Sequence, residues 1–408
     1  MDGRVAASEQ ESDYERGTHN DRGRARTVQK SIGLPRSQAR CIWLRAQRLD
    51  ESAPFGSGAG AALAAIAHLG YVQIDTIHVI ERSHHQVLYT RIPQYRRSDL
   101  HQAQTVDKTV FEYWTHALSY LPTADVRFFV SAMKRTANKP SSWYSSVTPA
   151  DLRKIVTRVK TQGAITIRDI DDDVLVEKNH PWASRKPSKR ALQLAFYRGA
   201  LTISEREGML KTYELMTRHF GWERLPNAAS ETEHLNYKLD RALRSQGIVS
   251  LDSVCYMDAP RKVGMRRLIE GRVRRGELLQ VDIEGAGKVE HWSRPDTLDS
   301  NRAPPADLVH ILSPFDPLVV QRKRLRFFFG YEHRFEAYTP KDKRVFGYFA
   351  QPVLVGDEII AVIDLKADRE RRKLLMQRWT WLTKQSRRPL KQRIDEALGR
   401  FERFQLAS

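Results

Sequence analysis

The hydrophobic and polar positions of this chain follow one pattern twice. Residues 162–170, QGAITIRDI, match residues 246–254, QGIVSLDSV, position by position. A helical pattern precedes each match, over residues 149–160 and 232–245, and another helical pattern follows it, over residues 188–198 and 260–275. A Gly-x-Leu step then leads into an extended run, which predicts a hairpin. This order of elements, with a helix, a short strand, two helices and a hairpin, is that of a winged helix.

Glycine and hydroxyl residues mark the same boundaries in both copies. Gly163 and Gly247 stand where a helix commonly ends at a glycine. Thr166 and Ser250 are placed to cap the helix that follows. In the second copy a wing is predicted near residues 282–292, with glycines at its turn. Because glycine ends many helices, chance recurrence of such steps is the alternative interpretation.

A weaker third copy comes first in the chain. Helical patterns over about residues 35–49 and 58–69 precede Gly70 and an apolar run. We therefore predict an α+β fold that contains three tandem winged-helix units. These units cover residues 31–145, 146–228 and 229–300.

The last hundred residues have a different pattern. Alternation around residues 355–358 predicts a hairpin, and the aromatic runs 327–329 and 335–338 predict further strands. We therefore expect a β-rich C-terminal domain with a terminal basic helix over residues 306–408. The helix is predicted to run from Arg369 to about Phe404.

Composition narrows the function. The 408 residues include 68 Lys and Arg against 49 Asp and Glu, which gives a formal net charge of +19. This excess favours an acidic partner such as nucleic acid or anionic lipid, and a merely soluble basic protein is the alternative. No stretch approaches the ~18 apolar residues that a membrane-spanning helix needs, so no membrane partner is predicted. Residues 1–30 are polar and charged, which predicts a disordered leader.

The cysteines indicate a compartment. Cys41 and Cys255 lie in apolar periodic contexts and have no paired spacing. This pattern favours reduced core cysteines in a cytoplasmic protein, which would be associated with the nucleoid when it binds DNA. Nothing in the sequence suggests an obligate dimer, so a monomer is expected.

The apolar run after Gly70 carries the most informative polar pair. Gln73 and Asp75 are two residues apart, so they share one face of a predicted strand while Ile74 points to the other. An amide beside a carboxylate can orient and activate one water molecule. A carboxylate in apolar surroundings is costly unless it has partners or a task. The pair therefore predicts hydrolysis, and a helix cap or a solvated strand end is the alternative role of Asp75.

Histidines near this pair are further candidates. His84 and His85 could hydrogen-bond to a phosphate or a base, or could be structural. The aromatic run 111–122 predicts a packed core helix, on which Glu112 and His116 would share one face beside the site. His116 is the candidate of this run for a contact with DNA or substrate. No cysteine–histidine pattern has the spacing of a zinc site, so neither a metal nor another cofactor is predicted.

Arginines of the third unit and the C-terminal domain are the predicted phosphate contacts. These candidates are Arg266, Arg267, Arg274, Arg275, Arg322 and Arg324. Each could instead belong to a solvated face, but their spread favours contacts along a duplex. The sequence contains no P-loop, no Ser-His-Asp layout and no paired acidic cluster for two metals. An ATPase and a metal-dependent nuclease are therefore disfavoured.

Five motifs together resemble the YcaQ-type (AlkX/AlkZ) family of winged-helix DNA glycosylases. They lie at residues 72–85, 112–122, 313–318, 334–338 and 363–369. The resemblance implies a monofunctional glycosylase that excises N7-alkylguanine from double-stranded DNA and unhooks interstrand crosslinks. It also implies that Asp75 and Gln73 are catalytic. Gln73-Ile74-Asp75 is the Gln-Φ-Asp form of the family signature, where Φ is apolar, and this form is similar to the broad-substrate branch.

The chemistry of the lesion agrees with this implication. N7-alkylation leaves guanine cationic, so the leaving group needs no strong acid. A carboxylate such as Asp75 would stabilise the oxocarbenium-like sugar and deprotonate water, while Gln73 held the water or oriented the sugar. A bulky crosslink cannot easily be flipped out, so an open channel is expected. The competing hypotheses are a winged-helix transcription regulator and an architectural protein that recognises DNA shape.

Overall fold

The computed structural model describes residues 31–171, 174–178, 184–299, 303–383 and 387–407. The predicted leader, residues 1–30, lies outside these described residues. The predicted α+β class is confirmed, because helices alternate with small, mostly antiparallel sheets along the chain. Within the described ranges, no helix combines the length and the apolar character that crossing a bilayer requires.

A first group of elements surrounds a small antiparallel sheet with the strand order β2-β4-β3. The group contains α2 (Gly58–Leu69), β2 (Val72–Gln73), α3 (Ser83–Arg91), α4 (Arg97–His101), β3 (Val110–Trp114) and β4 (Leu118–Pro122). Three alanines of α2, Ala61, Ala62 and Ala65, are buried, and the helix ends at Gly70 with φ of 81°. A side chain at Gly70 would collide with Arg241. Glycine is therefore needed there because it tolerates the positive φ and because there is no room for a Cβ atom.

A second group contains the sheet β5-β7-β6. Its elements are α5 (Arg127–Asn138), α6 (Pro149–Gln162), β5 (Ile165–Thr166), α7 (Pro187–Tyr197), β6 (Leu201–Glu207), β7 (Leu210–Leu215) and α8 (Met216–Phe220). The predicted cap is confirmed, because the Thr166 hydroxyl accepts a hydrogen bond from the amide of Arg168. The helices predicted before and after Thr166 are confirmed as α6 and α7.

A third group includes α9 (Glu231–Gln246), β8 (Ile248–Val249), α10 (Leu251–Val254), α11 (Lys262–Arg274), β9 (Leu279–Ile283), β10 (His291–Ser293) and α12 (Pro295–Leu298). The predicted wing is confirmed as β9 and β10, with Gly285 and Gly287 at positive φ in the connection. Ser250 caps α10 as predicted, by accepting from the amide of Ser253.

The start of the described chain belongs with this third group. Strand β1 (Ile32–Leu34) pairs in parallel with β9, and the sheet order is β1-β9-β10-β8. Helix α1 (Arg36–Ala46) follows it, and the side chain of Ile42 lies against Gly247. The sequence assigned residues 31–49 to the first unit, and the structure corrects that assignment. Each of the three groups has the order helix, strand, helices and hairpin, and their assignment as three winged-helix units stays a prediction.

The C-terminal elements form an antiparallel sheet, β11-β12-β13-β14, with helices packed on it. These elements are β11 (Val309–Ile311), α13 (Pro317–Val320), α14 (Arg322–Phe329), β12 (Gln351–Val355), β13 (Glu358–Asp368), β14 (Lys373–Trp381) and α15 (Arg387–Leu406). The hairpin predicted at residues 355–358 is confirmed as the turn between β12 and β13.

Three expectations for this region are wrong. Residues 327–329 end helix α14, because Leu325 and Phe328 share its buried face at helical spacing. Residues 335–338 form no strand. The terminal helix begins at Arg387 rather than at Arg369, since β13 turns at residues 369–372 into another long strand.

Candidate active site

The strand that carries Gln73 ends at that residue. Gln73 pairs with Ser119 of β4, and the amide of Ile74 donates the last hydrogen bond to the carbonyl of Leu118, at 2.8 Å. Asp75 therefore lies just beyond the sheet. The prediction of one regular strand through both residues is corrected, and the polar pair stands where the strand opens into a loop.

Main-chain amides orient the Asp75 carboxylate. Its Oδ1 accepts a hydrogen bond from the amide of Ile77 at 2.8 Å, which is an Asx-type turn. The side chain is half-buried. Burial raises the pKa of Asp75, and the amides of Ile77 and Thr76 partly offset that rise. A carboxylate with a raised pKa is a stronger proton acceptor, so the environment suits Asp75 to act as a general base.

Gln73 is held by His116. Gln73 is 9% exposed, and its Oε1 lies 3.1 Å from Nε2 of His116. His116 stands in the turn between β3 and β4, with the rings of Tyr71 and Tyr256 at 4.9 and 5.5 Å. Burial, aided by the nearby cation Arg241, lowers the pKa of His116 to about 4, so its imidazole is neutral at pH 7. The structure thus brings this predicted site residue beside Gln73.

A cavity of about 780 Å³ opens beside His116. Its lining includes Tyr71, Tyr237, Arg241 and Tyr256. The Arg241 guanidinium lies 5.7 and 5.6 Å from the ring centroids of Tyr71 and Tyr237. Among the described residues, His116 lines this cavity, whereas the catalytic candidates do not. Aromatic faces with a cation suit stacked bases and a phosphate.

The segment after Asp75 is anchored to the C-terminal sheet. Arg369 donates to the carbonyls of His78 and Ile80, both at 3.1 Å. The amide of Ala367 donates to the carbonyl of Val79 at 2.9 Å. The motif at residues 363–369 therefore fixes the course of the loop that follows the candidate carboxylate.

The motif at residues 313–318 supplies a buried ion pair. Arg91 and Asp316 both have fully buried side chains, and two guanidinium N–H groups donate to the carboxylate at 2.7 and 3.0 Å. Arg91 also donates to the carbonyl and the side-chain oxygen of Gln47. Asp316 additionally accepts from the amide of Leu318. This motif is structural: it ties α3 to the C-terminal region.

Two acidic residues of the remaining motifs also have structural partners. Glu336 accepts hydrogen bonds from the amides of residues 345–347. Asp364 accepts from the amides of Tyr348 and Phe349. The two carboxylates together accept hydrogen bonds from the main-chain amides of residues 345–349, which would otherwise lack partners.

The predicted DNA contact of His84 is corrected. His84 is 3% exposed, and its ring lies 5.5 Å from that of Tyr120. His85 is half-buried, with its Nδ1 2.6 Å from the Tyr95 hydroxyl. Burial lowers the pKa of His85 to about 3 and that of His84 well below its usual value, so both are neutral at pH 7. Such packing makes His84 part of the core rather than of a DNA surface, and a DNA contact of His85 stays a prediction.

Arg324 is likewise corrected from a phosphate contact to a core residue. It is 9% exposed and donates to the carbonyl of Ile248 at 2.7 Å. Its guanidinium lies 4.4 Å from the ring centroid of Trp43, where it makes a cation–π contact. Arg322, two residues earlier, is exposed and available to a polyanion.

The other predicted arginines lie on α11 or directly after it. Arg266 and Arg275 are each engaged in an ion pair with a nearby glutamate. Arg267 and Arg274 are exposed. The helix directly precedes the hairpin of β9 and β10 along the chain. Their contact with DNA stays a prediction.

Several residues of the site escaped the sequence patterns. Tyr71, Arg241 and Tyr256 come together only through tertiary packing, and no local signal marks them. Residues 111–122 form the hairpin of β3 and β4, not the predicted helix. Glu112 does not line the site; it forms a buried ion pair with Arg206. Among the described residues, no cluster of three His, Cys, Asp or Glu could hold a metal ion.

Comparison with known proteins identifies the family. A family model described as "DNA glycosylase AlkZ-like" matches residues 66–404, which include Gln73, Asp75 and His116. The chain belongs to the AlkZ-like DNA glycosylase family. The resemblance drawn from the sequence motifs is therefore confirmed, and DNA is the partner of this glycosylase.

A solved structure shares the overall fold of this glycosylase. Streptomyces sahachiroi DNA glycosylase AlkZ matches with a TM-score of 0.57 at 16% sequence identity. The match covers 92% of this chain and 97% of that one. The two proteins therefore have the same architecture although most of their residues differ.

Proposed function

We propose that this DNA glycosylase hydrolyses the N-glycosidic bond of N7-alkylguanine in duplex DNA, as the first step of base excision repair. The observation that carries the proposal is the half-buried Asp75 carboxylate, oriented by main-chain amides and two residues from the fixed amide of Gln73. The proposal extends to the unhooking of interstrand crosslinks joined through the same guanine atom.

The reaction needs little acid catalysis, because the alkylated base already carries positive charge. As the C1′–N9 bond breaks, its electron pair passes to the base and positive charge develops on the sugar. Asp75 stabilises that charge and accepts a proton from the water that attacks C1′. The products are a neutral N7-alkylguanine and an abasic site. Gln73 holds the water or the sugar in position.

The exposure of Asp75 supports the extension to crosslinks. A crosslinked guanine is joined to both strands, so it cannot rotate into a closed pocket. A half-buried carboxylate at the end of a strand can meet a lesion that remains within the duplex. This geometry favours an open site over a sealed one.

A panel of duplexes tests the proposed substrate class. Each carries one N7-methylguanine, one N7-guanine interstrand crosslink or undamaged guanine, and the released base is identified by chromatography. We expect release from the first, separation of the crosslinked strands in a denaturing gel, and no release from the third. Crosslinks left intact alongside rapid N7-methylguanine release would restrict the function to monoadducts. Release of only uncharged damaged bases, with no release of N7-methylguanine, would overturn the proposed function.

The proposed chemistry is metal-independent. Chelation by EDTA is therefore expected to leave the rate of N7-methylguanine release unchanged, since a carboxylate and an amide perform the whole reaction. The measurement compares single-turnover rates before and after extensive dialysis against EDTA. A loss of activity that added divalent metal restores would contradict the mechanism.

Exposed arginines of α11 are proposed to contact phosphates. Replacing Arg267 or Arg274 by alanine is expected to weaken the binding of damaged and undamaged duplexes to the same extent. Each substitution should also reduce the salt dependence of binding by about one phosphate contact. Fluorescence anisotropy at several salt concentrations measures both effects. Arg153→Ala, at an exposed position of α6, is the matched control. Equal losses in all three variants would indicate only a general charge effect.

A further inference from the structure

The Gln73 amide has two unlike ends, and the surrounding structure distinguishes them. Its Oε1 faces Nε2 of His116 at 3.1 Å. A carbonyl oxygen can only accept, so the imidazole nitrogen must carry the proton and donate. One lone pair of the Gln73 oxygen is then engaged by His116, and the Nε2 amide group is the end that can donate to the reacting atoms.

His116 is a rigid donor. The rings of Tyr71 and Tyr256 stand nearly perpendicular to it, with interplanar angles of 80° and 74°. The Thr115 hydroxyl lies 3.4 Å from Nδ1 but donates its proton to the carbonyl of Ala117 at 3.2 Å, so it does not set the tautomer. The proton at Nε2 of the neutral imidazole follows from the Gln73 oxygen, which can only accept.

We propose that His116 is a positioning residue that holds Gln73 with its amide N–H, rather than its oxygen, toward the reacting atoms. Gln73 then acts as a hydrogen-bond donor to an oxygen that the attacking water or the deoxyribose supplies. For the water, one proton goes to Asp75, one lone pair accepts from Gln73, and the other lone pair attacks C1′. This inference rests on the proposed function of Gln73 and Asp75.

Two substitutions at His116 separate positioning from packing. His116→Phe keeps a ring between the tyrosines but donates no hydrogen bond, so single-turnover release of N7-methylguanine is expected to slow by about tenfold. His116→Gln places an N–H close to the position of the imidazole Nε2 and is expected to restore most of the rate. Duplex affinity and melting temperature should stay near wild type in both.

A substitution at Gln73 tests which end of the amide acts. Gln73→Glu has the same length and can still accept from His116, but it presents no donor to the site. We expect it to lose as much activity as Gln73→Ala. The double variant Gln73→Ala/His116→Phe should be no slower than Gln73→Ala alone. His116 acts only through Gln73, so its loss has no further effect once the Gln73 amide is gone.

The possible outcomes are distinct. Near-wild-type release by Gln73→Glu would overturn the donor role. Equal release by wild type and His116→Phe, or equally slow release by His116→Gln and His116→Phe, would overturn positioning through this hydrogen bond. In those cases the proposed function still stands, because wild type excises the base. If wild type releases no N7-methylguanine or other N7-alkylguanine, both the proposed function and this inference fail.

Discussion

Replacing Asp75 by asparagine is expected to slow the release of N7-methylguanine by about 10²- to 10⁴-fold while duplex binding is retained. Asparagine has nearly the same shape, and its oxygen can still accept from the amide of Ile77. The local turn should therefore persist. The amide cannot take a proton from water, and it carries no negative charge to stabilise the developing cation.

Single-turnover kinetics with enzyme in excess isolate this step. Every damaged duplex is then bound, so the rate reports excision rather than affinity. Asp307→Asn is the matched control, because it removes an exposed carboxylate far along the chain and should leave the rate unchanged. If Asp75→Asn excises as fast as wild type, Asp75 is not the base, and the proposed mechanism loses its central group.

Replacing Asp316 by alanine is expected to reduce the free energy of unfolding by about 3–5 kcal/mol. The substitution leaves the Arg91 guanidinium buried without its counter-charge. Gln47 still accepts from Arg91, but a neutral amide cannot compensate the charge. The same change removes the oxygen that accepts from the amide of Leu318 at the start of α13.

Chemical denaturation monitored by tryptophan fluorescence measures this loss. An exposed pair provides the comparison, because Lys391 and Asp395 are about half exposed on one face of α15. Asp395→Ala is expected to cost less than about 0.5 kcal/mol. Equal small effects of the two substitutions would show that the buried pair is not the anchor inferred from its geometry.

Local signals predicted several helices and the β9–β10 hairpin of this fold well. Glycine ends, hydroxyl caps and helical spacing located α6, α7, α9 and α11 within a few residues. Strand β1 could not be found in this way, because its partner β9 lies about 250 residues away along the chain. The hairpin at residues 110–122 was mistaken for a helix because both faces of β3 are buried, so it shows no alternation of apolar and polar positions.

The candidate site was only partly predictable. The spacing of Gln73 and Asp75 revealed the pair, and His116 was identified near it, but as a DNA contact. Its hydrogen bond to Gln73 depends on the β3–β4 turn. His84 and Arg324 were wrongly assigned to the DNA surface, because residue type alone suggested exposure. His84 and Arg324 can be buried because each packs against an aromatic ring, and Arg324 also donates to a main-chain carbonyl.

Metal-free excision of a cationic purine can be tested in a single assay. Purified wild-type protein is incubated in EDTA with a duplex that carries a single N7-methylguanine, and with the same duplex undamaged. We expect free N7-methylguanine and an alkali-labile abasic site from the damaged duplex alone. Tight, sequence-selective binding of the undamaged duplex with no base released from the N7-methylguanine or N7-crosslinked one would contradict it and favour a DNA-binding regulator.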